Sequence, residues 1–494
     1  MKKSVFPLPI LVLIASALSV IGISQALAQQ SRDSAPSTVS TRIGTLNYEA
    51  GFPTAETVRK LYDEIDFQRA VLAHEYADNL VSYYSFNAGM KSIGGDAGTQ
   101  VIWENFLDPA PLILTGNDTT IYGMNFLDLL RDGPMVVEVP ASPFLGGLFD
   151  LWMTPIAGIG GEGGKFVVAP LDFDGDVPDG YQLVRSKTAL AALFSRGLVI
   201  DRDVPTAVKT VENVRVYPLS DIASPPETKI IHVTGKYMDT LSPRGFEFWE
   251  RFATEIVPTL LPEEDVDASF LLSLVAPLGI VPGQPFAPDD RQRQILTEAA
   301  EFGWLAAQAV SMAGRLEGMQ YYEGKQWELW LVLDPSLTDR YWRDLEARTN
   351  YYFGATMALP AMKEKRIGQG SQYLRAAKVA DGNWLDGSNT YVLRVPPNVP
   401  ALVNWSVTLH DYETRSQIQT DQNRAAIGSD DEAVVVNGDG SVDLYFGPEA
   451  PEGRETNWVE TAPGRGWWAL FRWYSPTEAF FDKSWQLPDF EKVN

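Results

Sequence analysis

The chain contains no cysteine among its 494 residues and only three histidines. The absence of cysteine excludes disulfides, thiolate metal sites, cysteine-ligated iron–sulfur clusters and cysteine nucleophiles. The histidines, His74, His232 and His410, lie far apart in the sequence, and no H-E-x-x-H motif is present. We therefore expect packing alone to hold the fold, and we expect neither a transition-metal enzyme nor any other bound cofactor.

Basic residues are also scarce, because 40 lysines and arginines accompany 64 aspartates and glutamates, which gives a net charge of −24 at pH 7. Such a charge repels phosphate backbones and anionic lipid surfaces. We expect no nucleic-acid partner and attribute the acidity to solubility. The apolar content of 45% is typical of a globular protein, and the length favours more than one domain.

Long hydrophobic runs are absent except at the N-terminus. Two lysines precede a mostly apolar segment, residues 5–23, and an A-x-A site ends at Ala28. This pattern predicts a signal peptide at residues 1–28 and export to the periplasm or the cell exterior, with a retained membrane anchor as the alternative. After cleavage we expect no integral membrane span, because the apolar run at residues 270–283 is short and contains two prolines.

Hydrophobic periodicity divides the rest of the chain into segments of alternating type. A leader rich in serine, threonine and glutamine is expected to be flexible. The expected segments are the flexible leader at 29–52, an N-terminal helical segment at 53–99, a β domain at 100–235, a helical domain at 236–365 and a β-sandwich at 366–494. Inside the first β domain, the stretch SKTALAALFSRGL at 186–198 predicts one helix.

Two strands of the C-terminal segment are predicted with their faces. In LVNWSVTLHDY, Trp405 and Val407 face one side while Thr408 and His410 face the other. WWALFRWY is apolar on both faces, which predicts a central strand buried on both sides, and it contains Arg472. A buried arginine is costly unless it is paired. We expect either an ion pair with an acid such as Asp411 or Asp443, or a clamp for an anionic ligand.

The motifs of both halves resemble a known family pair. NDTTIYGMNFLDLLRDGPMVVEVP and GGKFVVAPLDFDGDVPDGYQLVRSKT resemble the DUF1254 pattern. VPPNVPALVNWSVTLHDYETRSQI, NGDGSVDLYFGPEAP and NWVETAPGRGWWALFRWYSP resemble DUF1214. The resemblance covers nearly all of the chain after residue 55, and the motifs recur in order.

The resemblance implies a multidomain α+β fold. Its parts would be an N-terminal immunoglobulin-like β domain, a helical middle domain and a C-terminal jelly-roll-like β-sandwich. The family has no established function, so the resemblance implies no catalytic residue. His410 stands where the family often has a tyrosine, so a role for that ring would not require imidazole chemistry.

The segment that contains Asn117, Asp118, Thr119 and Tyr122 supports two interpretations. Asparagine, aspartate and threonine side chains cap turns through their oxygens, which favours a structural role. The same four side chains could instead line a polar pocket for a sugar or a small acid. Both interpretations stay open at the level of sequence.

An acidic loop, DFDGDVPDG, places Asp172, Asp174 and Asp176 at alternate positions. This spacing allows three carboxylates to converge on Ca²⁺, although the loop lacks the glycine and the final acid of an EF-hand. An exposed hairpin tip without a ligand is the alternative interpretation.

Tryptophan is abundant, and aromatic rings exposed on a β-sandwich can stack on sugar rings. Core packing is the simpler explanation of most of the seven in the C-terminal part: Trp384, Trp405, Trp458, Trp467, Trp468, Trp473 and Trp485.

Three functional hypotheses follow from these observations. The first is an exported protein that binds a small polar or carbohydrate-like ligand in the cell envelope, with Asn117, Asp118, Thr119, Tyr122, His410 and Arg472 as candidate contacts. The second is a hydrolase or lyase that uses carboxylates and a tyrosine at the domain junction. The third is a structural or assembly role.

Overall fold

The computed structural model describes residues 37–117, 119–332, 343–359 and 362–493. The chain divides into two compact units, Met1–Gln68 and Arg69–Asn494. The predicted signal peptide, residues 1–28, lies outside the described residues. Within the described ranges, no helix has both the length and the apolar character that a membrane crossing requires.

The first unit contains a small antiparallel sheet in the order β1-β2-β3, formed by β1 (Thr38–Thr41), β2 (Gly44–Glu49) and β3 (Phe52–Pro53). Gly44 has a φ of 96°, which a glycine adopts without strain where β1 turns into β2. The predicted flexible leader is therefore wrong over its described residues, because the strands pair there. Helix α1 (Ala55–Ser92) follows, and the hydroxyl oxygen of Thr54 accepts the amide N–H of Thr57 at its start.

Two sheets form the first half of the second unit, in the orders β13-β4-β5-β11-β7-β8 and β10-β9-β6-β12. They enclose a common core to which both contribute, for example through Leu148 and Val168. The strands are β4 (Gln100–Trp103), β5 (Ile121–Asp128), β6 (Met135–Val139), β7 (Phe144–Asp150), β8 (Pro155–Ile159), β9 (Gly164–Pro170), β10 (Gln182–Ser186), β11 (Leu190–Gly197), β12 (Arg215–Pro218) and β13 (Ile230–His232).

Strand β11 corrects the helix predicted at residues 186–198. Its alanines and leucines favour a helix in isolation, but it pairs antiparallel with β5 on one side and β7 on the other. Six of its eight residues from Leu190 onward are buried in succession, so pairing and burial override intrinsic propensity. The helix of this region comes later as α2 (Val204–Glu212), where the Asp203 side chain caps the N–H of Thr206.

The middle of the unit is helical, as expected, with turns between short helices. The bounds are α3 (Phe246–Arg251), α4 (Val266–Val275), α5 (Asp290–Met312) and α6 (Leu345–Tyr352). Helix α5 buries Ile295, Ala299, Gly303 and Trp304, whereas Phe302 is 53% exposed.

The C-terminal part contains two four-stranded sheets, ordered β14-β20-β16-β17 and β19-β18-β15-β21. The apolar side chains of both sheets pack in one core, which includes Val407, Phe471 and Leu444. The elements are β14 (Ser371–Ala376), β15 (Tyr391–Val395), β16 (Trp405–Asp411), β17 (Ala426–Gly428), β18 (Val442–Gly447), β19 (Trp458–Glu460), β20 (Trp467–Tyr474), α7 (Glu478–Phe481) and β21 (Glu491–Lys492).

The predictions for β16 and β20 are confirmed. Trp405 and Val407 lie in the shared core, whereas Thr408 and His410 belong to the opposite face of the sheet. β20 lies between β14 and β16, with all but its last residue buried. The whole is thus a mixed α+β fold whose C-terminal sheet buries both of its faces.

Candidate functional site

A cavity lies between the six-stranded sheet and the sheet that contains β14 and β20. The space between its lining atoms is about 880 Å³, including the open mouth of the cavity. The apolar walls include Phe86, Trp103, Leu114, Phe194, Trp330, Leu331, Met357, Met362 and Leu470.

Strand register places the polar side chains of the cavity. In the six-stranded sheet, Tyr122 lies opposite Trp103 on one neighbour and opposite Arg196 on the other. In the C-terminal sheet, Tyr373 lies opposite Arg472. Residues that lie opposite each other in adjacent strands point to the same face of a sheet. Each sheet therefore directs one arginine and one tyrosine toward the cavity, which all four line.

Arg472 is 1% exposed and is held by neutral oxygens. Its guanidinium donates to the hydroxyl of Thr408, to the carbonyl of Gly116 at 2.7 Å and to the carbonyl of Thr115 at 3.3 Å. Its Nε is buried without a hydrogen-bond partner among the described residues. This arginine therefore ties the segment before β5 to the C-terminal sheet.

The ion pair expected for Arg472 is wrong, because both candidate acids bind other partners. Arg465 contacts Asp411 at 2.7 Å, and Arg394 contacts Asp443 at 3.4 Å. Among the described residues, no carboxylate lies within ion-pair distance of Arg472.

Arg196 is the second cation of the cavity. Its guanidinium lies 5.3 Å from the ring centre of Tyr122 and 5.2 Å from that of Phe194, within cation–π range. Burial disfavours the cation, but the neighbouring phenols of Tyr122 and Tyr373 outweigh it and hold the pKa of Arg196 above its usual value. Its Nε is buried and has no hydrogen-bond partner in the described part of the chain.

Asn117 closes a turn and also lines the cavity. The side-chain Oδ1 of Asn117 accepts the N–H of Thr119 at 2.8 Å, so it closes a turn. It also accepts the Tyr474 hydroxyl at 3.1 Å, and Asn117 lines the cavity. Thr119 donates to the Tyr474 hydroxyl at 2.7 Å, outside the cavity lining. Asp118 lies outside the described residues.

His410 lies in β16, in the same sheet as β14 and β20, but does not line the cavity. Its ring is fully buried and stacks on Trp468 with ring centres 4.1 Å apart. Burial and the nearby Arg472 hold the pKa of His410 well below its usual value. A neutral, stacked ring packs the sheet and does not donate as a cation.

The acidic loop is not organised as a metal site. Asp172, Asp174 and Asp176 are all exposed. The described residues contain no group of three histidine or carboxylate side chains arranged to hold a metal ion. The structure therefore does not bring these three carboxylates together.

The C-terminal tryptophans are mostly core residues. Trp467, Trp468 and Trp473 are at most 2% exposed, whereas Trp384 is 50% exposed and stacks with Lys378. A platform of exposed rings for sugar stacking is therefore not formed by these tryptophans.

Sequence reasoning missed Arg196, Tyr351 and Tyr373, which complete the polar part of the cavity. Arg196 carried a usable signal, since it is an arginine close to an apolar run, LAALF, much as Arg472 lies within one. Because the residues of β11 were predicted to form a helix, Arg196 was not recognised as a strand residue that could face a cavity. Tyr351 and Tyr373 gave no such signal, because the sequence contains many other aromatic residues.

Family models match both halves of the chain. Residues 98–218 match the model described as a protein of unknown function (DUF1254), and residues 370–478 match the one described as a protein of unknown function (DUF1214). This chain is a DUF1254/DUF1214 domain protein. The cavity lies between strands of the DUF1254 domain, β5 and β11, and strands of the DUF1214 domain, β14 and β20.

Two solved structures are similar to the chain, and one of them supports its fold. The VPA0106 protein from Vibrio parahaemolyticus is 20% identical, with a TM-score of 0.52 over 87% of this chain and 100% of that one. An uncharacterised protein from Burkholderia cenocepacia is 12% identical, with a TM-score of 0.37 over 88% of this chain and 89% of that one, too low to support an argument. Among curated proteins, none matches the chain.

Proposed function

We propose that this chain is an exported protein of the periplasm or cell exterior that binds a small, largely apolar molecule between its DUF1254 and DUF1214 domains. The observation that supports it is the cavity, whose walls are mainly apolar and aromatic with a few convergent polar groups. That composition is typical of small-molecule sites. Export rests on the N-terminal pattern of two lysines, an apolar segment and an A-x-A site.

The apolar lining changes the expected ligand. A carbohydrate needs many polar partners and exposed rings, whereas this cavity offers few polar groups and mostly hydrocarbon walls. A cavity of this size and lining fits a small molecule. We therefore favour a small apolar body with one polar end over a sugar.

The hydrolase or lyase alternative is less well supported. None of the described lining residues is an aspartate or glutamate, so no described carboxylate is placed to act as a general base there. For the fold, we propose an immunoglobulin-like DUF1254 domain and a jelly-roll-like DUF1214 domain, the latter supported by its two four-stranded sheets.

Ala355→Phe is expected to abolish small-molecule binding. Ala355 lines the cavity and is 2% exposed, so a phenyl ring there would occupy the space of the ligand. Saturation-transfer NMR with benzamide, a neutral probe of suitable size, should give a signal with the parent and at least a tenfold weaker one with the variant. Ala141→Phe, at an exposed position, is the matched control and should bind as the parent does. Equal signals from Ala355→Phe and the parent, or none from the parent, would contradict the proposal.

A further inference from the structure

The two arginines of the cavity have no carboxylate partner among the described residues. Arg196 and Arg472 line one cavity, and no described carboxylate pairs with either. Removing a guanidinium from water is costly unless an anion or several good acceptors replace the water. Arg472 has three neutral acceptors, and Arg196 has a side-chain hydrogen bond with Tyr373 and the aromatic faces of Tyr122 and Phe194.

A third arginine on the same sheet face provides a contrast. Arg375 lies two residues beyond Tyr373 in β14 and is fully buried, and its guanidinium contacts the Glu328 carboxylate at 2.6 Å. It also donates to the carbonyl of Ser311 at 2.5 Å. Where this face buries an arginine away from the cavity, a carboxylate of the chain neutralises it. At the cavity, no described carboxylate does so.

We infer that the ligand of the cavity is a small monocarboxylate, with its apolar body against the aromatic walls and its carboxylate held by Arg196 and Arg472. The inference rests on the proposed function and specifies its ligand class. Guanidinium groups recognise carboxylates through two parallel N–H donors, and such charge-assisted bonds are stronger than neutral ones. The Nε of each cavity arginine is buried without a described partner, as is the Nε of Arg375, so the missing carboxylate is what distinguishes these two arginines from Arg375.

The size and composition of the cavity limit the class of ligand further. The size of the cavity fits a short or monocyclic carboxylic acid. A second anionic group on the ligand would have to be placed against hydrocarbon walls, which is unfavourable. A single carboxylate at one end of an apolar body matches both features.

The test compares benzoate with benzamide, which have nearly the same shape but differ in charge. By calorimetry or NMR titration, the parent should bind benzoate at least tenfold more tightly than benzamide. Arg196→Met should lower benzoate affinity at least tenfold and change benzamide affinity less than twofold, because one charge-assisted contact is lost. Arg196→Lys keeps the charge without the paired donors and should give an intermediate result.

Arg315→Met is the matched control, because the Arg315 side chain is 85% exposed and pairs with Glu346 at the surface. It should leave both affinities unchanged. Equal affinities of the parent for benzoate and benzamide would overturn the carboxylate inference while leaving the proposed small-molecule function intact. If Arg196→Met lost the same affinity for benzoate as for benzamide, the carboxylate inference would also be overturned, because Arg196 would then act through packing. Failure of the parent to bind either compound would contradict the inference and the proposed function together.

Discussion

Asp150→Asn is expected to gain about 3 kcal/mol of stability relative to the parent as the pH rises from about 4 to 7. Asp150 is fully buried at the end of β7. Its Oδ1 accepts the N–H of Thr154 at 3.0 Å, while its Oδ2 has no hydrogen-bond partner among the described residues. Burial raises the pKa of Asp150 from 3.8 to about 7, against the opposing effect of the Thr154 hydrogen bond.

The direction in which stability changes with pH follows from proton binding. Between pH 3.8 and about 7 the unfolded chain has lost the Asp150 proton and the folded protein keeps it. The folded state then binds more protons, so the stability of the parent falls as the pH rises through this window. Asparagine keeps the Oδ1 acceptor and cannot ionise. Thermal unfolding of both proteins across pH 4 to 8 measures the difference.

Asp439→Asn is the control, because the pKa of Asp439 is shifted in the opposite direction from that of Asp150. Asp439 is exposed in a turn, and hydrogen bonds from the hydroxyl and amide of Ser441 lower its pKa from 3.8 to about 2. Its stabilising effect is present above pH 3.8 and is lost as the pH falls through 2. This variant should therefore have a lower melting temperature than the parent at neutral pH. An Asp150→Asn difference that does not change with pH would contradict the buried-carboxyl account.

Gly197→Ala is expected to destabilise the protein by about 3 kcal/mol. A Cβ at this last residue of β11 would lie 2.1 Å from the carbonyl oxygen of Ala207 in helix α2. Backbone atoms cannot move aside as a flexible side chain does, so α2 would have to shift from the sheet. Ala207 and Val211 pack there against Ile102. Urea unfolding of the parent and the variant measures the loss.

Gly158→Ala is the matched control for Gly197→Ala. Gly158 lies in β8, and a Cβ there would meet nothing within 4 Å. Its effect should stay within about 0.5 kcal/mol. Equal destabilisation by the two variants would show that loss of glycine from a strand, and not the contact with α2, determines the cost.

The parts of the fold that the sequence predicted are those governed by local pattern. The alternation around Trp405 and the apolar run around Arg472 follow directly from the side-chain period of a strand. β11 was mispredicted because its composition favours a helix and only its two partner strands determine otherwise. Local propensity carries no information about such partners.

The candidate site was predictable only in part, for a related reason. Asn117, Tyr122 and Arg472 were selected as polar residues in unusual contexts, and all three line the cavity. The pairing of Arg472 could not be predicted, because Gly116 and Thr115 reach it from far along the chain. Arg196 joins the site only through the registers of two sheets, which no local pattern specifies.

The central claim is that the cavity between the DUF1254 and DUF1214 domains holds a small carboxylate. A crystal structure of the protein soaked with para-bromobenzoate tests it most directly, because anomalous scattering from bromine locates the ligand. The account predicts bromine density among the aromatic walls and the carboxylate within hydrogen-bond distance of Arg196. An empty cavity at saturating ligand, or a carboxylate that points away from both Arg196 and Arg472, would contradict it.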